Sequence, residues 1–403
     1  MNDNVNVASF FSKSTKEALQ NDPPGEWMPA LPNECIRLSS GYPAPHLVPD
    51  EEIKQAVASL LKEEQDLPLH YLGSPKMEKL KEQIQERLAT RGMHVGEDEL
   101  LITAGACQAI DLIARILIDD ETLVIVEAPT YMEALEIFQN YTSHFMSIPI
   151  DKDGLQTDLL EDLLAERKQK GLSLPRFLYT IPTFQNPTGT NMTEERRKHV
   201  LKLAAQYDFL ILEDDAYGEL HFEKHSTPLK AIDTDGRVLH VGSLSKVVAP
   251  GMRIGWVAAA PEFITAMAWF KKDLDHPFAQ ATMATYLEST DMKERLETLR
   301  STYQAKCSVL LSALEQYMPT SASWYVPEGG YFVWLKVAVD TSELLAQAME
   351  AGISFVPGRY FFLSQEDGTQ YLRLSFSYAN EKNIKEGIKR LGNLLEEVES
   401  SER

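Results

Sequence analysis

Hydrophobic and polar positions follow two rhythms along this chain. Between residues 76 and 91, Leu80, Ile84 and Leu88 recur every fourth position with charges between them, the spacing of a buried stripe on a helix. Residues 50–64 also read as a helix. From about residue 100 the rhythm changes. Short apolar runs rich in β-branched residues occupy 100–103, 122–126, 144–148, 177–181, 209–212, 238–241 and 254–258, with helical stretches between them. Several runs are apolar on both faces, as strands covered on each side by helices must be. This alternation predicts an α/β architecture with a mainly parallel seven-stranded sheet between helices.

Beyond residue 290 the pattern differs. A long charged helical stretch covers 291–317, Pro327-Glu328-Gly329-Gly330 interrupts it, and an alternating segment follows at 331–337. A short strand at 370–375 and an amphipathic helix over 381–399 complete the chain. Fewer strands and a new spacing predict a smaller α+β domain. The start of the chain reads as an amphipathic segment and then an extended arm carrying Pro23-Pro24-Gly25, Pro29 and Pro32. The expected organisation is an arm that joins the small domain over 1–48, a large domain over 49–290 and a small C-terminal domain over 291–403.

Composition narrows the function classes. A chain of 403 residues accommodates two or three domains at roughly 100–200 residues each. With 44% hydrophobic and 25% charged residues it can bury a large core. The net charge of −21 repels phosphate backbones and anionic lipid, so neither nucleic acid nor membrane is expected as a partner. A local basic pocket could still hold a small anion. Cys35, Cys107 and Cys307 are far apart and form no CxxC pair, so no disulfide framework and no metal site are expected. Residues 1–19 lack the apolar stretch of a secretory signal. The most apolar window, 256–270, contains Pro261 and Glu262 and is too short for a bilayer, so a cytoplasmic location is expected.

Three clusters carry candidate chemistry, each after a strand candidate, where open α/β sheets bind ligands. Gly242-Ser243-Leu244-Ser245-Lys246 is followed by Pro250-Gly251-Met252-Arg253. A lysine among small residues can approach a cofactor carbonyl, and two serine hydroxyls with an arginine can hold a phosphate. The plain alternative is an exposed turn with an incidental lysine. Glu213-Asp214-Asp215-Ala216-Tyr217 offers carboxylates that could be solvated or cap a helix. A buried carboxylate could instead keep the ring nitrogen of pyridoxal 5′-phosphate (PLP) protonated, with a tyrosine bonding the ring's phenolic oxygen. In Gln185-Asn186-Pro187-Thr188-Gly189, Asn186 could donate to the same oxygen, although Asn-Pro and Thr-Gly are also ordinary turn chemistry.

Taken in order, Asn-Pro-Thr-Gly, Asp-x-x-Tyr and Ser-x-Ser-Lys-x-x-x-Pro-Gly-x-Arg resemble the fold-type I PLP enzymes, the aspartate aminotransferase superfamily of class I and II aminotransferases. The likeness covers roughly residues 36–380. The Phe-Gln-Asn-Pro-Thr-Gly form is similar to the branch of 2-aminoadipate and kynurenine aminotransferases, which also includes the enzyme-like domains of MocR-type regulators. The resemblance implies a Schiff base between PLP and Lys246, a catalytic role for Lys246, Asp214 and Tyr217, and substrate contacts from Gly41, Asn186 and Arg373. It places Gly105, Ala106 and Cys107 at a phosphate-binding helix start, where Ala106 replaces a residue that is often small and polar. Cys107 is expected to pack rather than react. The resemblance places Tyr131 on the pyridine face and assigns Ser243, Ser245 and Arg253 to the phosphate. Arg373 is expected to fork the α-carboxylate, although an ion-paired strand arginine is the plain alternative. Tyr71 is expected to reach the phosphate of a partner subunit in a homodimer. The activity implied is ping-pong transfer of an amino group from an L-amino acid to a 2-oxo acid. A β-eliminating C–S lyase would use the same cofactor residues. A MocR-like regulator would need a basic winged-helix segment, whereas only about 35 residues, not basic, precede the Gly41 arm.

Overall fold

The computed structural model describes residues 6–20, 25, 30–32, 34–272 and 275–401. Pro23, Pro24 and Pro29 of the expected arm lie outside the described residues. The strands are β1 (Ile36–Arg37), β2 (Leu100–Thr103), β3 (Val124–Ala128), β4 (Phe145–Asp151), β5 (Gly154–Leu155), β6 (Phe177–Thr180), β7 (Leu210–Asp214), β8 (Val238–Ser243), β9 (Gly255–Ala258), β10 (Ser323–Trp324), β11 (Phe332–Lys336), β12 (Ile353–Ser354), β13 (Val356–Pro357) and β14 (Tyr371–Ser375).

The large sheet has the order β2-β9-β8-β7-β6-β3-β4-β5. The pairs from β8 through β7, β6 and β3 to β4 are parallel, and β9 runs antiparallel to both its neighbours. All seven expected strands are present. The eighth, β5, corrects the expected count: β4 continues to Asp151, and Gly154, at φ 89°, turns the chain back so that Leu155 pairs with Ile150. Two residues are too few to show a period.

Alternation within the strands assigns their faces. Val124 and Val126 pack on one side with Ile110, Ile113 and Phe138, while Ile125 packs on the other with Leu160, Leu164 and Leu203. The covering helices are Ala106–Leu117 on the first side and Thr157–Gln169 with Glu194–Tyr207 on the second. Each fully buried aliphatic side chain contributes about 1.5–3 kcal/mol, so this two-sided packing holds the strand ends in place. The apolar window at 256–270 is divided between β9 and the helix Pro261–Lys271, which starts on its proline.

A second, antiparallel sheet has the order β10-β11-β14-β13. Beside it β1 pairs in parallel with β12, so Ile36 and Arg37 join strands of the C-terminal part. The helices Met292–Tyr317 and Glu381–Ser401 pack together there. Among the described residues no helix is long and apolar enough to cross a membrane. Because β2, β3, β6, β7 and β8 run in one direction, their C-terminal ends share one edge, which faces β14 and the segment after β1.

Candidate active site

A cavity of about 510 Å³ opens at that edge. Asp214 is the last residue of β7 and Ser243 the last of β8, so these two sit within the sheet rather than in loops after it, correcting the expected placement. The ladder continues through them, Asp214 pairing with Val241 and Ser243 with Gly255.

The three neighbouring carboxylates separate cleanly. Glu213 points away from the cavity, accepts the backbone N–H groups of Leu229 at 2.6 Å and Lys230 at 3.0 Å, and lies 3.1 Å from His240 Nδ1. It therefore caps a helix. Asp215 is ion-paired to Arg91. Asp214 lines the cavity; its Oδ2 accepts from Tyr179 OH at 2.8 Å and its buried Oδ1 has no partner among the described residues. Burial pushes Asp214 up to about 6.

Lys246 projects its amine into the cavity, donating to the Gly41 carbonyl at 3.0 Å. Burial, and then the Arg373 charge, lower it to about 8. Its backbone carbonyl accepts from Tyr331 OH at 2.8 Å. Tyr217, beside the Lys246 amine, is buried. Arg373, on β14, is 4% exposed and makes no ion pair among the described residues. It donates to Asn186 Oδ1 at 2.9 Å and the Ser39 carbonyl at 3.1 Å, stacks 4.2 Å over Phe332, and leaves Nε without an acceptor. The Asn186 amide nitrogen is thereby left to donate elsewhere.

A third group gathers at the start of the helix Ala106–Leu117. Gly105 takes φ 90°, and a Cβ there would lie 2.5 Å from the Arg253 guanidinium. Arg253 donates to the Ala104 carbonyl at 2.9 Å, and Ser243 Oγ lies 2.8 Å from Ser245 Oγ. Free N–H groups, two hydroxyls and a guanidinium make a cradle for a dianion. Tyr131, after β3, donates to Glu133 from a half-buried ring. Cys107 does not simply pack: its thiol lines the cavity and donates to Glu133 Oε2 at 3.4 Å, while burial pushes it up to about 12, far from a reactive thiolate. Tyr71 is fully exposed and lies outside this chain's cavity.

These residues fit PLP. The buried, orphaned Asp214 oxygen is free to accept from a ring N–H, the lysine amine is depressed by burial, and the cradle at Gly105 suits a phosphate. Among the described residues no cluster of His, Cys, Asp or Glu could hold a metal ion.

The family model for aminotransferase class I and II matches residues 33–391. The chain belongs to this family. An aromatic-amino-acid aminotransferase of Thermococcus litoralis is 38% identical over 91% of this chain and 89% of its own length. The kynurenine aminotransferase of Pyrococcus horikoshii, solved with pyridoxamine phosphate and kynurenine, superposes with a TM-score of 0.88, 34% identity and 98% of each chain covered. The α-aminoadipate aminotransferase LysN of Thermus thermophilus, solved with a phosphopyridoxyl-leucine adduct, gives a TM-score of 0.87 at 31% identity over 98% of this chain and 99% of that one. The protein is a PLP-dependent aminotransferase, acting on amino and 2-oxo acids, of the fold-type I architecture.

Sequence reasoning missed several residues of this aminotransferase site. Tyr179 and Tyr331 stand 35 and 85 residues along the chain from Asp214 and Lys246, their partners, and no spacing announces them. Glu127 binds Gln185 Nε2 at 2.9 Å, and Gln185 in turn holds the Pro129 carbonyl at 2.9 Å. Glu133 stands two positions after Tyr131, a spacing that a strand-to-helix turn hides.

Proposed function

We propose that this aminotransferase transfers the amino group of an L-amino acid to a 2-oxo acid in a ping-pong cycle, with Lys246 as the covalent anchor of the cofactor. One observation carries the reading: a single cavity holds a buried amine, an unpartnered carboxylate oxygen and a buried guanidinium, from Lys246, Asp214 and Arg373. PLP, when bound, supplies an aldehyde that accepts the amine and a protonated ring that stores the electron pair left at Cα. Asp214 Oδ1 holds the ring nitrogen's proton in place. Tyr217 OH and the Asn186 amide donate to the phenolic oxygen. The N–H groups of Gly105, Ala106 and Cys107, the Ser243 and Ser245 hydroxyls and Arg253 would hold the phosphate, and Tyr131 would take the ring face. Arg373 binds the α-carboxylate through its planar fork. Lys246 Nζ, freed by the substrate's amine, would take the proton from Cα and deliver it to the cofactor's former aldehyde carbon, and would run the same transfer backwards in the second half-reaction. The Gly41 arm, already in contact with Lys246, covers the substrate and excludes water.

In this reading residues 49–290 form the cofactor-binding domain, and 1–48 with 291–403 form the part that covers it; the β1–β12 pairing supports this division. The active unit is a homodimer to which Tyr71 contributes across the interface. Three free cysteines suit a reducing cytoplasm.

Borohydride reduction of the holoenzyme followed by peptide mapping should place the pyridoxyl group on Lys246. Label on another lysine would refute the anchor. A panel of amino donors should show one 2-oxo acid formed per amino group transferred. Pyruvate and ammonia released without such exchange would identify β-elimination instead.

A further inference from the structure

Glu133 sits in the first turn of the helix Met132–Gln139 and lines the cavity. The helix dipole favours a carboxylate there. A carboxylate serving as a cap would accept backbone N–H groups, yet Glu133 Oε2 accepts from the Tyr131 hydroxyl and the Cys107 thiol. Among the described residues nothing donates to its Oε1, and no Lys, Arg or His pairs with it. Of the other charges that line the cavity, all but Arg37 have tasks in the reading above. Lys246 is the anchor, Arg373 takes the α-carboxylate, Arg253 the phosphate and Asp214 the ring nitrogen. Glu133 is left as a carboxylate without a counter-charge, and the apolar side chains of Leu31 and Met132 line the same space.

We propose that Glu133 selects an amino donor whose side chain is an apolar stem ending in a cationic amine. The proposal rests on the aminotransferase reading and names its substrate class. The methylenes of such a side chain run along Leu31 and Met132, and the terminal ammonium meets Glu133. A substrate ending in a carboxylate would instead meet a like charge, a repulsion that excludes it. Arg37 also lines the cavity and could hold a distal carboxylate. Arg37, however, stands in β1 paired with Ser354 of β12, whereas Glu133 is hydrogen-bonded to Tyr131 and Cys107, both assigned above to the cofactor. Glu133 is therefore the group tied to the cofactor's own residues.

Three donors with one carbon stem test this: L-lysine, L-norleucine, which lacks the ammonium, and L-2-aminoadipate, which ends in a carboxylate. The holoenzyme should prefer L-lysine to L-norleucine in kcat/KM by about tenfold or more and use L-2-aminoadipate worst. In Glu133→Gln the lysine-to-norleucine ratio should fall by about tenfold, and the aminoadipate-to-norleucine ratio should rise. Glu133→Ala should move both ratios in the same directions, and retained cofactor absorbance reports that each variant is folded and loaded. Unchanged ratios with transfer intact overturn this proposal alone. So does a wild-type preference for L-2-aminoadipate that Arg37→Gln abolishes. No transfer from any of the three donors, or from neutral L-amino acids, overturns the aminotransferase reading together with this one.

Discussion

Lys246 carries its amine into a cavity where water solvates a positive charge poorly. Burial and the nearby Arg373 lower it from 10.5 to about 8, so the nucleophilic free base is populated near neutral pH. In cofactor-free protein the rate of PLP capture should rise with pH and level off above about 8, measured by absorbance after mixing. A rate still climbing steeply near the ordinary lysine value would contradict this. Arg373→Ala removes the second cause and should move the midpoint upward. The same variant should lose on the order of 2–5 kcal/mol of transition-state binding, read as kcat/KM for amino and 2-oxo acids alike, because both carry the α-carboxylate. Arg373→Lys should recover little of it, since an ammonium is not a planar fork. Equal kcat/KM in wild type and Arg373→Ala would remove the residue from the site. At this scale the sequence was most informative where chemistry is local. Lys246, Asp214, Asn186 and Arg373 stand in short motifs, and all four line one cavity. Glu133 and Tyr179 were invisible because no motif or spacing links them to Cys107 and Asp214, the partners they meet from other elements.

Strand ends decide how the loops present these side chains. Glu127, in β3, accepts from Thr180 OH, from Ile181 N at 3.1 Å and from Gln185 Nε2 at 2.9 Å. Gln185 Oε1 then accepts from Thr188 N at 2.9 Å and from its hydroxyl at 2.8 Å. One buried carboxyl thus ties β3 to the loop after β6 that carries Asn186. Burial pushes Glu127 from 4.5 up to about 7, against the hydrogen bonds that favour its charge. A raised folded value means that the folded state holds the proton more tightly than the unfolded chain does. The stability from that proton is complete below about pH 4.5 and is lost as the pH rises through about 7. Glu127→Gln cannot ionise, so the wild-type unfolding midpoint minus that of the variant should fall across this interval. A difference that stays flat or rises would refute the linkage. Glu127→Ala, which orphans several buried donors, should cost about 3 kcal/mol or more in denaturant unfolding. Element positions were largely legible, because two-sided burial imposes continuous apolar runs. Their ends were not. The runs stop where polar residues begin, yet β7 and β8 continue into Asp214 and Ser243, since ladder hydrogen bonds are indifferent to side chains. The two-residue β5 depends on a turn at Gly154 that leaves no periodic trace.

The single chain leaves a protruding segment with no packing role. Tyr71 is 100% and Leu72 97% exposed, with Leu69 at 65%. Consecutive apolar side chains held in water are costly, and such a patch marks a protein interface. In the proposed reading Ser243, Ser245 and Arg253 of this chain hold the phosphate, so a hydroxyl arriving from a second copy would add one further donor. The dimer prediction is accordingly a modest effect with a sharp genetic signature. Sedimentation should show a dimer, and Tyr71→Phe, which removes one hydroxyl, should weaken PLP retention while leaving the fold intact. Mixing Tyr71→Phe chains with Lys246→Ala chains then separates a role across the interface from one within the subunit. If Tyr71 acts across the interface, the subunit of each heterodimer that keeps Lys246 receives its tyrosine from the partner that keeps Tyr71, so one site is fully wild-type. The other site carries both defects. Cofactor retention at the first site should recover to the wild-type dissociation rate, measured by dilution into a PLP trap. If heterodimers form and that rate stays at the Tyr71→Phe value, the hydroxyl serves its own subunit or touches no cofactor, and the shared site is wrong.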